Sequence, residues 1–268
     1  MHIYIPSRDR AHAQRTLGQL PPNLLSSTTV VVPPEQVAAY AAAVPKGVGV
    51  WGVDARVAEK RQAIVEQAHA EQGPGACIQL DDDLAFFVRV GSEPTAQYVA
   101  ATPEQVGECI QWLHSSVQGP PGYCWAQVSN RFMAHTKPPT YQNSSPSMAW
   151  AVHTGVLDEH DIRFDALPVC EDWHVCLSLL EAGYPNVGTA MWVVTGSAQN
   201  KNGGCSSWRT AEVVRAAQQE FVRLHPHTSR TVPVKGLQQG CQVGEGLRVQ
   251  WKRAYEMGRL GLVPAALP

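Results

Sequence analysis

Three consecutive carboxylates, Asp81-Asp82-Asp83, follow directly on the apolar run Ile78-Gln79-Leu80. A strand that ends in acids delivers them to the rim of a sheet, where like charges repel unless water or a cation compensates. Hard carboxylate oxygens suit Mg²⁺ or Mn²⁺, which take one or two carboxylates and complete their shell with substrate phosphates. In an extended chain residues i and i+2 share a side. Asp81 and Asp83 can then divide the work, one facing a sugar or ribose and the other facing metal, with Asp82 between them. An acidic turn after a buried strand gives the same letters.

A second acidic pair, Glu171-Asp172, opens an apolar-periodic segment that runs to Ala182 before Gly183. Acids at a helix start often only cap it and complement its dipole. The chemical alternative is a general base for a hydroxyl nucleophile, with Glu171 and Trp173 beside the acceptor. Basic residues stand where an anionic ligand would need them. Pro6-Ser7-Arg8-Asp9-Arg10 follows the first strand pattern, and Arg56, Lys60 and Arg61 precede the acidic run. Arginine forks match diphosphate oxygens, and lone arginines in turns also serve as ordinary surface. Asn200-Lys201-Asn202-Gly203-Gly204 combines a cation with a Gly pair that lets backbone approach a ligand closely, or is a surface turn. The ten histidines form no metal-binding spacing, and His135, His153 and His174 read as structural or surface residues.

These residues need a scaffold. Strand patterns fall at residues 3–6, 28–32, 48–53 and 77–80, and helical ones at 11–17, 34–43, 57–70 and 103–118. Thr102, Pro103 and Gln105 together write a capped helix start. Strand–helix alternation predicts parallel strands covered on both faces, with ligands beyond the strands' carboxyl ends near a switch in strand order. Further strands are expected at 123–128, 148–153 and 187–195, and helices at 171–182, 211–224 and 246–257. The fold class predicted is a mixed α/β sheet flanked by helices.

The 268 residues suffice for one such core, 44% hydrophobic and 16% charged without low-complexity tracts. No apolar stretch reaches a bilayer-spanning length, and the first residues lack the charged and apolar regions of a signal peptide. Seven scattered cysteines without a CxxC pair fit reduced thiols and a cytoplasmic setting. Net charge is −2, yet residues 209–268 carry nine Arg/Lys against four Glu, +5, leaving −7 on the rest. The division expected is a catalytic part, 1–208, and a positive helical extension of the same domain, 209–268. A polyanion could meet that extension through Arg248, Lys252 and Arg253, with Trp251 stacking on a base or packing in the core. A solvated helical face gives the same charge count.

The order of Ile-Tyr-Ile-Pro-Ser-Arg, Val30-Val31-Val32-Pro33-Pro34-Glu35 with Tyr40, then Arg56 and Arg61, Leu-Asp-Asp-Asp and Glu-Asp-Trp resembles the TET-associated glycosyltransferases of phages. These are similar to base J glucosyltransferases. The resemblance implies a GT-A fold, a UDP-sugar donor, Mn²⁺ or Mg²⁺, and an acceptor hydroxyl on 5-hydroxymethylcytosine in DNA. It implies that Asp81 and Asp83 serve nucleotide sugar and metal and that Asp172 is the base. Many GT-A enzymes add a late His ligand. No His lies between His174 and His225, so Gln199, Asn200, Asn202 or water would substitute. A non-DNA acceptor and a non-catalytic nucleotide or nucleic-acid binding module are the competing readings.

Overall fold

The computed structural model describes residues 1–91, 97–119, 122–196, 208–238 and 241–263. From the amino terminus the chain forms β1 (Ile3–Pro6), α1 (Pro22–Leu25), β2 (Thr28–Val32), α2 (Val37–Ala43), β3 (Gly49–Gly52), α3 (Val57–Gln72) and β4 (Ala76–Leu80). A hairpin of β5 (Ala85–Val90) and β6 (Gln97–Ala100) follows, then α4 (Pro103–Gln118) and β7 (Trp125–Asn130). Next come α5 (Arg131–Ala134), β8 (Thr140–Gln142), β9 (Ala149–His153), α6 (Thr154–Glu159), α7 (Glu171–Glu181) and β10 (Asn186–Thr195). The C-terminal part holds α8 (Ala211–Leu224), β11 (Ser229–Pro233), β12 (Glu245–Val249) and α9 (Trp251–Arg259).

Ten of these strands form one mixed sheet in the order β3-β2-β1-β4-β9-β7-β10-β5-β6, with β8 pairing β10. β1 to β4 are parallel, as their helical crossovers require, and β9 runs antiparallel between β4 and β7. Alternation along each buried strand divides the core. Ile3, Ile5, Val30, Val32, Ile78 and Leu80 face α2 and α4. Tyr4, Val31, Cys77, Trp125 and Trp150 face α3 and α7. Strands buried on both faces explain why these segments read as continuous apolar runs.

The predicted capped start of α4 is present: Gln105 N donates to Thr102 Oγ1 and Thr102 N donates to Gln105 Oε1. Gly183 follows α7 at φ +88°, a conformation that costs glycine nothing. Two helical expectations are corrected. Residues 11–17 form turns rather than a helix, because Thr16 is drawn to the acidic turn, donating its N–H to the Asp82 carbonyl. Residues 245–249 are a strand, since Glu-Gly-Leu-Arg-Val alternates and pairs antiparallel with β11; helix begins only at Trp251. The β5–β6 hairpin adds two strands beyond those the sequence patterns predict.

α8, the β11–β12 hairpin and α9 pack on α7 through Leu177, Leu180, Val214, Phe221 and Ala254. α9 lies alongside α7 in the same direction. Trp173 and Trp251 meet edge to face at 5.4 Å near their starts, and Gly183 and Gly258 come together near their ends. A buried chain of hydrogen bonds fixes the end of α8 on α7. His174 Nδ1 meets His225 Nε2 at 2.9 Å, and His225 Nδ1 meets Glu181 Oε2 at 2.7 Å. Burial, then the neighbouring His225, pushes the His174 imidazole down to about 3.

Candidate active site

β1 and β4 are adjacent, and β2 continues the sheet on the other side of β1, so strand order switches beside Ser7 and Asp81. That is the crevice where open α/β sheets accept ligands. The ends of β7 and β10 and the start of β9 lie at the same edge, because β7 and β10 run with β4 and β9 against it. The switch-point carboxylates are not extended as expected. Asp82 and Asp83 sit in a turn, and the side chains of Asp81, Asp82 and Asp83 are 30%, 7% and 17% exposed. Asp81 and Asp83 thus retain access to the crevice, whereas Asp82 is turned inward.

Each carboxylate has a protein cation. Arg10 Nη1 donates to Asp82 Oδ1 at 2.6 Å and to Asp83 Oδ2 at 3.0 Å. Asp82 also accepts from Ser7 Oγ, and Ser7 in turn meets the Tyr40 hydroxyl at 2.8 Å. Arg61 Nη2 donates to Asp81 Oδ1 at 2.9 Å. The sequence groups Ser7, Arg10, Arg61, Asp81 and Asp82 as donor residues; the structure brings them together as one ion-paired cluster. Two members carry no signal in the sequence that separates them from any polar residue in a turn. Gln14 donates from Nε2 to Ser7 Oγ, and the Thr16 hydroxyl donates to the Asp81 carbonyl at 2.5 Å. Lys60 is buried with Nζ 3.1 Å from the Ser7 carbonyl oxygen.

The second acidic pair joins this cluster through the same guanidinium. Arg61 Nε lies 3.2 Å from Glu171 Oε1, and the guanidinium sits 5.2 Å over the Trp150 ring. Glu171 is buried in that ion pair, so its neighbour Asp172 is the half-buried acid of the two. Cys170, at φ 64°, is held in the left-handed region and turns the chain sharply into α7. Asp172 Oδ1 accepts from Trp173 N at 2.9 Å. Burial, reinforced by Glu171 and opposed by Arg61, raises the Asp172 carboxyl to about 7. The dipole of α7 favours the charged form at this position, and desolvation outweighs it. Burial and the adjacent acids also raise Asp81, to about 6, against the pull of Arg61. Burial raises Asp82 against its hydrogen bond from Ser7.

Arg61 Nη1, Trp150 Nε1 and Ser147 Oγ are buried without a hydrogen-bond partner among the described residues. Buried donors left open in this way call for a ligand or water. A Cβ on Gly196 would stand 2.9 Å from Met148 Sδ and 3.2 Å from Asp83 Oδ1, so glycine there lets the end of β10 approach the acidic turn closely. Among the described residues no three His, Cys, Asp or Glu side chains are grouped to hold a metal by themselves. Asp81 and Asp83 offer hard carboxylate oxygens, the donor type that Mg²⁺ or Mn²⁺ takes one or two at a time beside phosphate and water.

The remaining expected residues lie further out. Pro6 ends β1, and Arg8 is half-buried beside Asp9. Arg56 is exposed at the start of α3, with its guanidinium 5.2 Å over the Trp208 ring. Arg248, Lys252 and Arg253 are exposed, whereas Trp251 and Trp173 pack against each other and are half-buried. Lys201, Gly203 and Gly204, with Gln199, Asn200 and Asn202, fall outside the described residues. No helix among the described residues is long and apolar enough to cross a membrane. No disulfide links the described cysteines.

A search of curated protein sequences found no match. Solved structures with a similar fold include a mannose-1-phosphate geranyltransferase from Thermus thermophilus, at 13% identity and TM-score 0.43, over 68% of this chain and 64% of that one. A197 from STIV matches at 9% identity and TM-score 0.38, over 74% of this chain and 87% of that one. GalNAc-T7 with UDP, GalNAc and Mn²⁺ matches at 9% identity and TM-score 0.42, over 83% of this chain and 46% of that one. The chain therefore spans less than two thirds of the length of the first of these and under half of the third. A family model described as TET-Associated Glycosyltransferase matches residues 1–204, most of the chain and all of the ion-paired cluster, and the chain belongs to that glycosyltransferase family.

Proposed function

We propose that this glycosyltransferase moves glucose or N-acetylglucosamine from a UDP-sugar to the hydroxyl of 5-hydroxymethylcytosine in DNA, with inversion at the anomeric carbon. The observation that carries the reading is Arg61, whose one guanidinium meets both Asp81 and Glu171 and so ties the acidic turn to the Asp172 element. Donor-side and base carboxylates then border one crevice.

In the reaction the acceptor oxygen attacks the anomeric carbon and a C–O bond forms there. The bond from that carbon to the diphosphate oxygen breaks, and its electron pair leaves with UDP. The hydroxyl proton passes to the Asp172 carboxylate, whose raised pKa places it near neutrality, where a general base is most effective. Glu171 is a positioning residue, since Arg61 occupies it. Asp81 and Asp83 would hold Mn²⁺ or Mg²⁺, which supplies positive charge for the diphosphate when bound. Ser7, Arg8 and Arg10 border the nucleotide. The positive C-terminal part, read as an extension of the same domain, faces DNA through Arg248, Lys252 and Arg253.

The test is mass spectrometry of nucleosides after incubating hydroxymethylcytosine DNA with several UDP-sugars. A sugar adduct on hydroxymethylcytosine, with UDP release dependent on that DNA, is expected. UDP release indifferent to hydroxymethylated DNA, but stimulated by a glycan or lipid acceptor, refutes the DNA assignment.

A further inference from the structure

β7 ends at Asn130 and the chain turns at once into α5. Since β7 runs parallel to the edge-forming strands, α5 leaves the sheet at the same edge as Asp81 and Gly196. Only β9 separates β7 from β4, so two strand spacings, about 10 Å, part α5 from the acidic turn along that edge.

The side chains of α5 are unusual for such a position. Ala134 is fully buried with Tyr98, Ala190 and Val193, and Phe132 N donates to Asn130 Oδ1 at 2.9 Å, which anchors the turn from below and in front. Phe132 and Met133 nevertheless project into solvent, at 81% and 61% exposure, and Phe132 is the most exposed large apolar residue described. Cations flank them at fixed positions. The Arg131 guanidinium lies 4.1 Å over the Phe87 ring and the Lys137 ammonium 4.0 Å over the Tyr141 ring. No Asp or Glu occurs in the sequence between Glu108 and Asp158. An outward aromatic ring and fixed cations, on a segment that carries no carboxylate of its own, make a surface for a polyanion that carries flat rings. Nucleic acid has that chemistry, with bases to stack and phosphates to pair.

We infer that Phe132 and Met133 form a stacking platform for the bases of the acceptor strand, with Arg131 and Lys137 beside its phosphates. This rests on the DNA acceptor proposed above and adds the device by which a base reaches the crevice. The C5 substituent of a paired cytosine lies in the major groove, and carrying it down into a crevice at a sheet edge takes the base out of the stack. An apolar side chain that takes the base's place or receives its face lowers the cost.

The experiment measures binding of a fluorescein-labelled, unmodified single-stranded oligothymidine by anisotropy for the wild type, Phe132→Ala and Phe132→Trp, with melting temperatures alongside. Phe132→Ala is expected to weaken binding roughly 5- to 150-fold, the usual loss for one stacked base. Phe132→Trp should restore it, with melting temperatures equal for all three because the ring touches little. Equal affinity of wild type and Phe132→Ala overturns the inference, as does a Trp variant as weak as the Ala variant, or a wild type that binds no oligonucleotide. If the oligonucleotide binds through Phe132 but no sugar reaches hydroxymethylcytosine DNA, the platform stands and the assigned acceptor falls.

Discussion

Asp81 and Glu171 share one guanidinium: Arg61 donates from Nη2 to Asp81 at 2.9 Å and brings Nε to 3.2 Å from Glu171. Glu171 and the guanidinium are largely out of water, while the Asp81 carboxylate keeps one side open to the crevice, so the buried charges depend on each other. Removing the cation leaves two acids facing each other across a buried gap. Arg61→Ala is therefore expected to destabilise the fold by about 3–5 kcal/mol in urea unfolding. Arg61→Lys should lose less stability yet fail to hold both acids, because an ammonium has no fork. A melting curve unchanged in Arg61→Ala would show that the two acids do not need the bridge.

Asp172→Asn should lower kcat by about 10²–10⁴, the usual worth of a general base, with donor KM little altered. In the wild type log kcat should climb with pH and level off near 7, since the carboxyl raised to about 7 accepts a proton only once ionised. The Asn variant should show a flat profile over that range. Near-normal kcat, or a product that keeps the donor's anomeric configuration, would transfer the role away from Asp172.

Stability should vary with pH in a direction set by the same groups. Asp81 and Asp172 titrate near 6 and 7 in the fold, against about 4 in an unfolded chain. Between about pH 4 and 7 the folded state then holds more protons than the unfolded one, so stability falls as pH rises through that window. Mn²⁺ should raise the melting temperature, and more at pH 8 than at pH 5, because its ligands must be ionised. Asp83→Ala should keep the fold, abolish the Mn²⁺ shift and lose most activity, as should the wild type in excess EDTA. Full turnover in EDTA would remove the cation from the reaction.

Gly258 is fixed by proximity. A Cβ there would stand 2.4 Å from the Leu180 carbonyl oxygen and 2.5 Å from that of Glu181. Gly258→Ala must push α9 off α7, at about 1–3 kcal/mol for an overpacked contact. Lower thermal stability together with raised exposure of Trp251, read by acrylamide quenching, is the expected outcome. An unaltered melting temperature would mean that the two helices do not cross so closely.

Charge reversal at Arg248, Lys252 and Arg253 should raise the KM for DNA and flatten its salt dependence, because fewer counterions are released on binding. The KM for the sugar donor should stay nearly constant. DNA kinetics indifferent to all three changes would take this face out of the acceptor site.

Much of this protein is legible in local sequence. The strands at 3–6, 28–32 and 76–80, the capped α4 and the α7 that ends before Gly183 all appear there with boundaries within a few residues. Apolar runs, caps and a helix-ending glycine act over one or two turns, which a linear pattern records. The acidic turn is likewise legible, because a strand that ends in three carboxylates must place them at a sheet edge. What the sequence could not decide was which cation answers which acid. Arg10 meets Asp82 from 72 residues away, and Arg61 meets Asp81 from 20. Those pairings exist only because β1 lies beside β4 and α3 crosses the face beneath them. The same holds for residues 11–17, whose helical pattern yields to the hydrogen bonds that Thr16 makes with the acidic turn. It holds too for Trp251, which packs on Trp173 because α9 lies along α7. Periodicity fixes which face of an element is apolar, but only the assembled sheet and its helices choose what that face, or a buried charge on it, will meet.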